Sequence, residues 1–124
     1  EVKDLPDAWR AEMESLIGIA PPDDRRGCLQ DIHWYMGAFG YFPSYALGAF
    51  IAAQFAHKMK QDVPDVMQQV AGGNIAAFTG WLRGNVQEKG CLYTPPALIE
   101  QVTGEKMSTR FFKQHVTDRY LNAA

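Results

Sequence analysis

Residues 43–61 read PSYALGAFIAAQFAHKMKQ, and this run decides the fold class. Pro43 supplies the backbone dihedral favoured at the first position of a helix, and the residues after it are rich in Ala, Leu, Phe and Met, which favour helix. Apolar residues occupy nearly every side of the first half, which predicts that this half is surrounded by protein. Because the apolar stretch from Tyr45 to Ala56 is short for a membrane span and already contains Gln54, it is interpreted as a buried core helix.

Helical spacing of apolar residues recurs before and after this run. Between Pro6 and Ile17 the apolar residues lie on one face of a helix, and Gly18 is a natural stop. Further helices are predicted to begin near four capping or helix-opening residues: Pro64, Asn74, Thr94 and Ser108. No alternating strand pattern of useful length occurs.

The helix after Asn74 is predicted to bury a stripe of four apolar side chains: Ile75, Phe78, Leu82 and Val86. The glycines between Gly27 and Pro43 break any long helix there, which indicates an ordered aromatic loop or short helical turns. The predicted fold is therefore all-α. It is a single helical domain, residues 1–124, of about five to seven helices with an ordered aromatic and glycine-rich loop.

Composition and charge argue against several classes of protein. A chain of 124 residues that is 47% hydrophobic can bury a core. The net charge of -2 leaves no basic excess to neutralise phosphates, so no nucleic-acid partner is expected, and no membrane span is predicted. The first residues have neither a basic region nor an apolar one, so they do not form a secretory signal and the chain is expected to begin mid-protein. Cys28 and Cys91 are interpreted as free thiols of a cytoplasmic protein.

The densest group of chemically useful residues lies between Gly27 and Tyr45. Asp31, two residues before His33, could orient the imidazole through a hydrogen bond to one ring nitrogen. The Gln30 amide and the phenols further along the segment could bind a carboxylate or a developing oxyanion. These polar groups could equally satisfy one another or buried backbone in a tight loop, and the residue types alone favour that interpretation.

Two stretches of this segment resemble motifs of one enzyme family. Gly27–Trp34 resembles the G-x-x-Q-D-x-H-W motif, and Gly40–Gly48 the G-Y-F-P-[ST]-Y-x-L-G run, of the carboxypeptidase Taq family, also called thermostable carboxypeptidase 1. The likeness continues more weakly through Trp81-Leu82 and Thr103-Gly104-Glu105, so it covers essentially all 124 residues. It is a likeness to only the last, C-terminal part of the family's much longer chain.

The resemblance implies a helical, cytoplasmic and usually homodimeric enzyme that removes residues from the free C-terminus of peptides. In that family zinc or another divalent metal is held by an H-E-x-x-H helix, and no such motif occurs here, because the three histidines precede Trp34, Lys58 and Val116. The resemblance therefore implies a metal in the full-length parent and none bound by this chain. His57 and His115 are interpreted as helix-surface residues, with His57 paired to Gln61 or solvated.

The same resemblance assigns the wall of the substrate cleft to residues 27–48. It implies that Asp31 and His33 support the catalytic centre. Gln30 and Trp34 would shape the pocket. Tyr41 and Tyr45 would donate hydrogen bonds to the scissile carbonyl or to the terminal carboxylate of the substrate.

The predicted function is that of a fragment of a metal-dependent carboxypeptidase, inactive alone, whose partners are a peptide substrate and a second copy of the chain. An alternative is a free-standing, non-catalytic helical association module derived from the family, because apolar surface left exposed must find a partner. A small metal-independent binding domain is a third. A chain that stands by itself is expected to form a dimer or larger oligomer through the helix between Tyr45 and Phe55.

Overall fold

The computed structural model describes residues 1–122, and within that range it is helical, with no strand. This confirms the all-α prediction. The chain divides into two compact units, with the boundary along the chain between Pro43 and Ser44. Seven α-helices lie in the described range: α1 Leu5–Ile17, α2 Ile32–Tyr35, α3 Pro43–Asp62, α4 Val66–Ala71, α5 Ala76–Asn85, α6 Pro95–Thr103 and α7 Arg110–Val116.

The first unit is built from α1 and a series of short turns. Helix α1 ends where the sequence predicts, at Gly18, whose φ of 74° is a left-handed conformation that glycine adopts without strain. Two 3-10 turns, Asp24–Arg26 and Cys28–Gln30, precede α2. Trp9 of α1 meets Trp34 of α2 edge to face, with ring centroids 5.3 Å apart. That contact packs the short α2 against the long α1.

The core of the second unit forms around the last two turns of α3. Phe55 and Met59, one helical turn apart, are buried there. Phe55 packs against Trp81 of α5, with ring centroids 6.4 Å apart. Buried residues from the shorter helices complete this core: Val66, Ile99 and Val102. Both cysteines of the chain are free thiols, as expected.

The first turns of α3 differ from the sequence prediction. Tyr45 is 59% exposed and Leu47 is also exposed, whereas the sequence predicts that this half is surrounded by protein. Helix α3 buries its side chains from Phe50 onward, where the other helices of the second unit reach it. Apolar residues on every side of a helix predict cover on every side, and within the second unit the buried cluster packs against α3 only along its later turns.

The predicted apolar stripe of α5 is wrong at its first two residues and right at its last two. Ile75 and Phe78 are exposed, and Trp81 is the buried residue. Leu82 and Val86 pack against the core as predicted. Ala77 and Trp81, which are four residues apart, lie on the buried side together with Leu82, and Phe78 lies at the edge of that side.

Hydrogen bonds of the Gln54 side chain link α3 to the segment between α6 and α7. Its side chain is 1% exposed, and its amide nitrogen donates to Thr103 Oγ1 at 2.9 Å and to two backbone carbonyls. Its amide oxygen accepts from the backbone N–H of Ser108 at 2.9 Å. A buried amide with both ends engaged is a well-satisfied polar group, and it specifies how this segment lies on the helix.

We expect Gln54→Leu to lower the free energy of unfolding by about 1–3 kcal/mol, because it leaves the Ser108 N–H without its acceptor. Chemical denaturation followed by circular dichroism measures the change. Gln101→Leu on the exposed side of α6 is the matched control, and it should change the free energy by less than about 0.5 kcal/mol. Equal losses in the two variants would show that the Gln54 hydrogen bonds add nothing to stability.

Asp62 closes the C-terminal end of α3. Its Oδ1 pairs with Lys58 one turn earlier, and its Oδ2 accepts from the Trp81 indole N–H at 2.9 Å. These hydrogen bonds, that from Lys58 foremost, hold the pKa of the Asp62 carboxyl below its ordinary value of 3.8. The ionised carboxylate therefore links α3 to α5.

We expect Asp62→Asn to destabilise the protein at neutral pH and to destabilise it less in acid. Because the folded-state pKa lies below the unfolded value, the contribution of this carboxylate is complete above the unfolded pKa and is lost as the pH falls through the folded one. Urea unfolding of both proteins at a series of pH values tests this. A difference between them that does not change with pH would contradict it.

Candidate functional site

The turn that precedes α2 fixes the position of Asp31. Asp31 is the N-cap residue of α2, with φ -84° and ψ 102°, and its Oδ1 accepts from the backbone N–H of His33 at 2.8 Å. A carboxylate at this position satisfies an N–H that the helix itself leaves without a partner. The spacing of two residues between Asp31 and His33 is therefore the spacing of a helix cap.

The same Asp31 oxygen also contacts the His33 ring. Its distance to Nδ1 is 2.6 Å, and the side chains of Asp31 and His33 are only 7% and 17% exposed. A carboxylate at Nδ1 favours the tautomer with its proton on that nitrogen, which leaves Nε2 as the ring atom with a lone pair. The structure thus brings together the two residues that the sequence singles out.

Aromatic side chains surround this imidazole within the first unit. Tyr41 stacks on it, with centroids 5.6 Å apart and planes inclined by 26°, and Phe42 meets it edge to face at 5.4 Å. Gly40, with φ 75°, provides the turn that directs the chain back toward the histidine, and a side chain at that φ would be strained. The ring is held by one carboxylate and two aromatic neighbours.

Gln30 and Trp34, which the resemblance predicts to shape the pocket, both have local partners. The Gln30 side chain is exposed, and its amide nitrogen donates to the backbone carbonyl of Arg25. The indole of Trp34 is half-buried against Trp9, as described above. Gln30 therefore stabilises the preceding turn, and its contact with a substrate stays a prediction.

The indole N–H of Trp9 is a feature of the first unit that the sequence does not predict. Its Nε1 is buried and has no hydrogen-bond partner within residues 1–122. Periodicity marks Trp9 only as an apolar helix residue, so no signal in the sequence identifies this unsatisfied donor.

The two tyrosines lie in different units. Tyr41 belongs to the first unit and Tyr45 to the first turns of α3 in the second, and both side chains are more than half exposed. The substrate contacts predicted for Tyr41 and Tyr45 stay predictions.

The structure confirms the pairing predicted for His57. Its Nε2 lies 3.1 Å from the Gln61 amide nitrogen, one turn along α3.

The described residues do not fit a catalytic zinc site. Such a site takes three protein ligands, and no group of three or more His, Cys, Asp or Glu residues within 1–122 is placed to hold an ion. Asp31 and His33 are two residues of types that bind metals, but they are hydrogen-bonded to one another. Among the described helices, none combines the length and apolarity that a membrane crossing requires.

Comparison with known proteins decides the family. The sequence model of the carboxypeptidase Taq (M32) metallopeptidase family matches residues 1–120. The chain belongs to this family. It is 40% identical to thermostable carboxypeptidase 1 of Pyrococcus furiosus over 121 residues, and 38% identical to thermostable carboxypeptidase 1 of Thermus thermophilus over 118 residues.

The family members are much longer than this chain. The matches cover 98% and 95% of the chain but 24% and 23% of those two proteins. The solved structure of Pyrococcus furiosus carboxypeptidase superposes with a TM-score of 0.92 at 39% identity, over 97% of this chain and 24% of that one. The chain therefore spans about a quarter of the length of the curated relatives that it matches.

We expect Asp31→Ala to remove the preference of His33 for the neutral tautomer that is protonated at Nδ1. Long-range ¹⁵N–¹H spectra distinguish the two neutral tautomers, and the unsubstituted chain should show His33 protonated at Nδ1. The matched control is Asp23→Ala, because Asp23 caps the 3-10 turn Asp24–Arg26 in the same way, with its Oδ1 2.8 Å from the Arg26 N–H. An unchanged His33 tautomer in Asp31→Ala would show that the carboxylate does not set it.

Proposed function

We propose that this chain is the C-terminal part of a metal-dependent carboxypeptidase and contributes residues that line its substrate cleft. The observation that carries the proposal is the 2.6 Å contact between Asp31 Oδ1 and His33 Nδ1. It lies inside the stretch that resembles a family motif, in a chain that belongs to the family. A buried carboxylate that aims an imidazole is a usual arrangement around a metal or substrate site.

The proposed task of the pair is to position a hydrogen-bonding atom toward the peptide. Asp31 engages Nδ1, and the ring then offers Nε2 as its second hydrogen-bonding atom. Stacking by Tyr41 and edge contact by Phe42 limit rotation of the ring. A preorganised group of this kind loses little entropy when the substrate binds. Gln30, Trp34, Tyr41 and Tyr45 are the proposed neighbours of the peptide.

The metal and the general base are proposed to come from outside these residues. The family is one of metallopeptidases, and the described residues do not fit a three-ligand site. Zinc or another divalent ion would therefore be held by the rest of the parent chain. A cytoplasmic, homodimeric enzyme is the proposed setting, as the resemblance implies.

The exposed start of α3 supports this view of the chain as one part of a larger protein. Tyr45 and Leu47 leave apolar surface open to solvent within the described range. The remaining three quarters of a family member would cover such a surface. The same observation favours the alternative, an association module without catalysis, which a measurement of activity separates from the first proposal.

In the full-length enzyme we expect Asp31→Ala and His33→Ala each to lower kcat/KM for a peptide substrate by roughly 10–100-fold, because a residue that orients a site residue has effects of this size. Asp23→Ala, which removes a cap of the same kind outside the proposed site, should change kcat/KM by less than about threefold. Circular dichroism confirms that each variant is folded. Full activity in Asp31→Ala and His33→Ala would show that the pair has no role in the cleft. An inactive unsubstituted full-length protein would favour the association module.

A further inference from the structure

A groove of about 530 Å³ lies in the second unit, between α3 and the C-terminal helical segment. One wall is α3 and the other is α7 with the π-helical turn Thr117–Leu121. Ala53 and Ala56 line the α3 side, and their small side chains leave the space open. The volume lies within the range of small-molecule sites, which runs from about 300 to 1,000 Å³.

The groove is lined by an excess of positive charge. Three permanently charged side chains reach it from three places: Lys60 on α3, Arg110 at the start of α7 and Arg119 in the π-helical turn. Asp118 is the one carboxylate among the lining residues, and Glu105 outside the lining pairs with Arg110, so the net excess is one positive charge. His57 and His115 add imidazole nitrogens. This local excess contrasts with the net charge of -2 for the whole chain.

Part of this charge has no counter-charge within the described residues. Arg110 pairs with Glu105 at 2.6 Å, and Asp118 accepts a hydrogen bond from Gln114 at 2.6 Å. Lys60 makes no ion pair or hydrogen bond within residues 1–122, and Arg119 has only the ring of Tyr120, 5.7 Å from its guanidinium carbon. Lys60 and Arg119 are therefore the two charges that an anion could neutralise.

We propose that this groove binds an anion of the phosphate class that carries at least two negative charges. A single carboxylate carries one negative charge, whereas a polyphosphate carries enough charge to pair with both Lys60 and Arg119, the two lining cations that have no ion pair within residues 1–122. The planar guanidinium of Arg119 suits phosphate oxygens, and the ammonium of Lys60 adds a point charge. The groove is larger than inorganic phosphate needs, which favours a pyrophosphate or the phosphate chain of a nucleotide.

The proposal concerns a site separate from Asp31 and His33 and does not depend on the peptidase assignment. Titration of inorganic pyrophosphate into the chain at low salt, followed by calorimetry, tests it. We expect saturable binding of one pyrophosphate with a Kd below about 1 mM, weakened by added salt. Lys60→Gln and Arg119→Gln should each weaken binding by at least about tenfold, since each removes a charge-assisted contact.

Lys113→Gln is the matched control, because Lys113 is exposed on α7 and does not line the groove. It should change the Kd by less than about twofold, as expected for a solvent-exposed charge that does not line the groove. A parallel titration with adenosine triphosphate identifies the source. Tighter binding than pyrophosphate assigns the groove to a nucleotide, and equal binding assigns it to an inorganic polyphosphate. The proposal is overturned if pyrophosphate does not saturate the chain, or if Lys113→Gln weakens binding as much as Lys60→Gln.

Discussion

Oδ1 of Asp31 holds two parts of the molecule at once, the first turn of α2 and the ring of His33. The backbone contact fixes where the helix begins, and the side-chain contact fixes how the imidazole is turned. Because one buried oxygen makes both contacts, the direction of the ring is tied to the local fold. Everything proposed for the cleft depends on this constraint, since an imidazole that could rotate would present no defined atom to a substrate.

Much of the fold could be predicted from local sequence signals, and the two misses have separate causes. Gly18 ends α1 as expected, because a left-handed residue is needed at that position and glycine tolerates it; Gly104 does the same after α6. Part of the buried face of α5 was missed because periodicity counts apolar residues equally, while packing favours the large Trp81 indole over Phe78. The exposed start of α3 was missed because composition marks Tyr45 and Leu47 as apolar without showing what packs on them.

For the candidate site, the sequence predicted which residues belong together but not how they meet. Asp31 and His33 were singled out by type and spacing, and their 2.6 Å contact required the cap geometry of α2. The basic groove was hidden from the sequence because Lys60 and Arg119 are far apart along the chain and the average charge is negative. Only packing of α3 against α7 places them on one groove.

The central claim is that this chain supplies part of a cleft whose metal and base lie elsewhere in a family member. The most direct test measures bound metal and hydrolysis of a blocked dipeptide, first on the chain alone and then after adding the rest of its gene product. We predict neither metal nor activity for the chain alone and both after the addition. Stoichiometric metal with activity in the chain alone, or no activity in either state, would contradict the account.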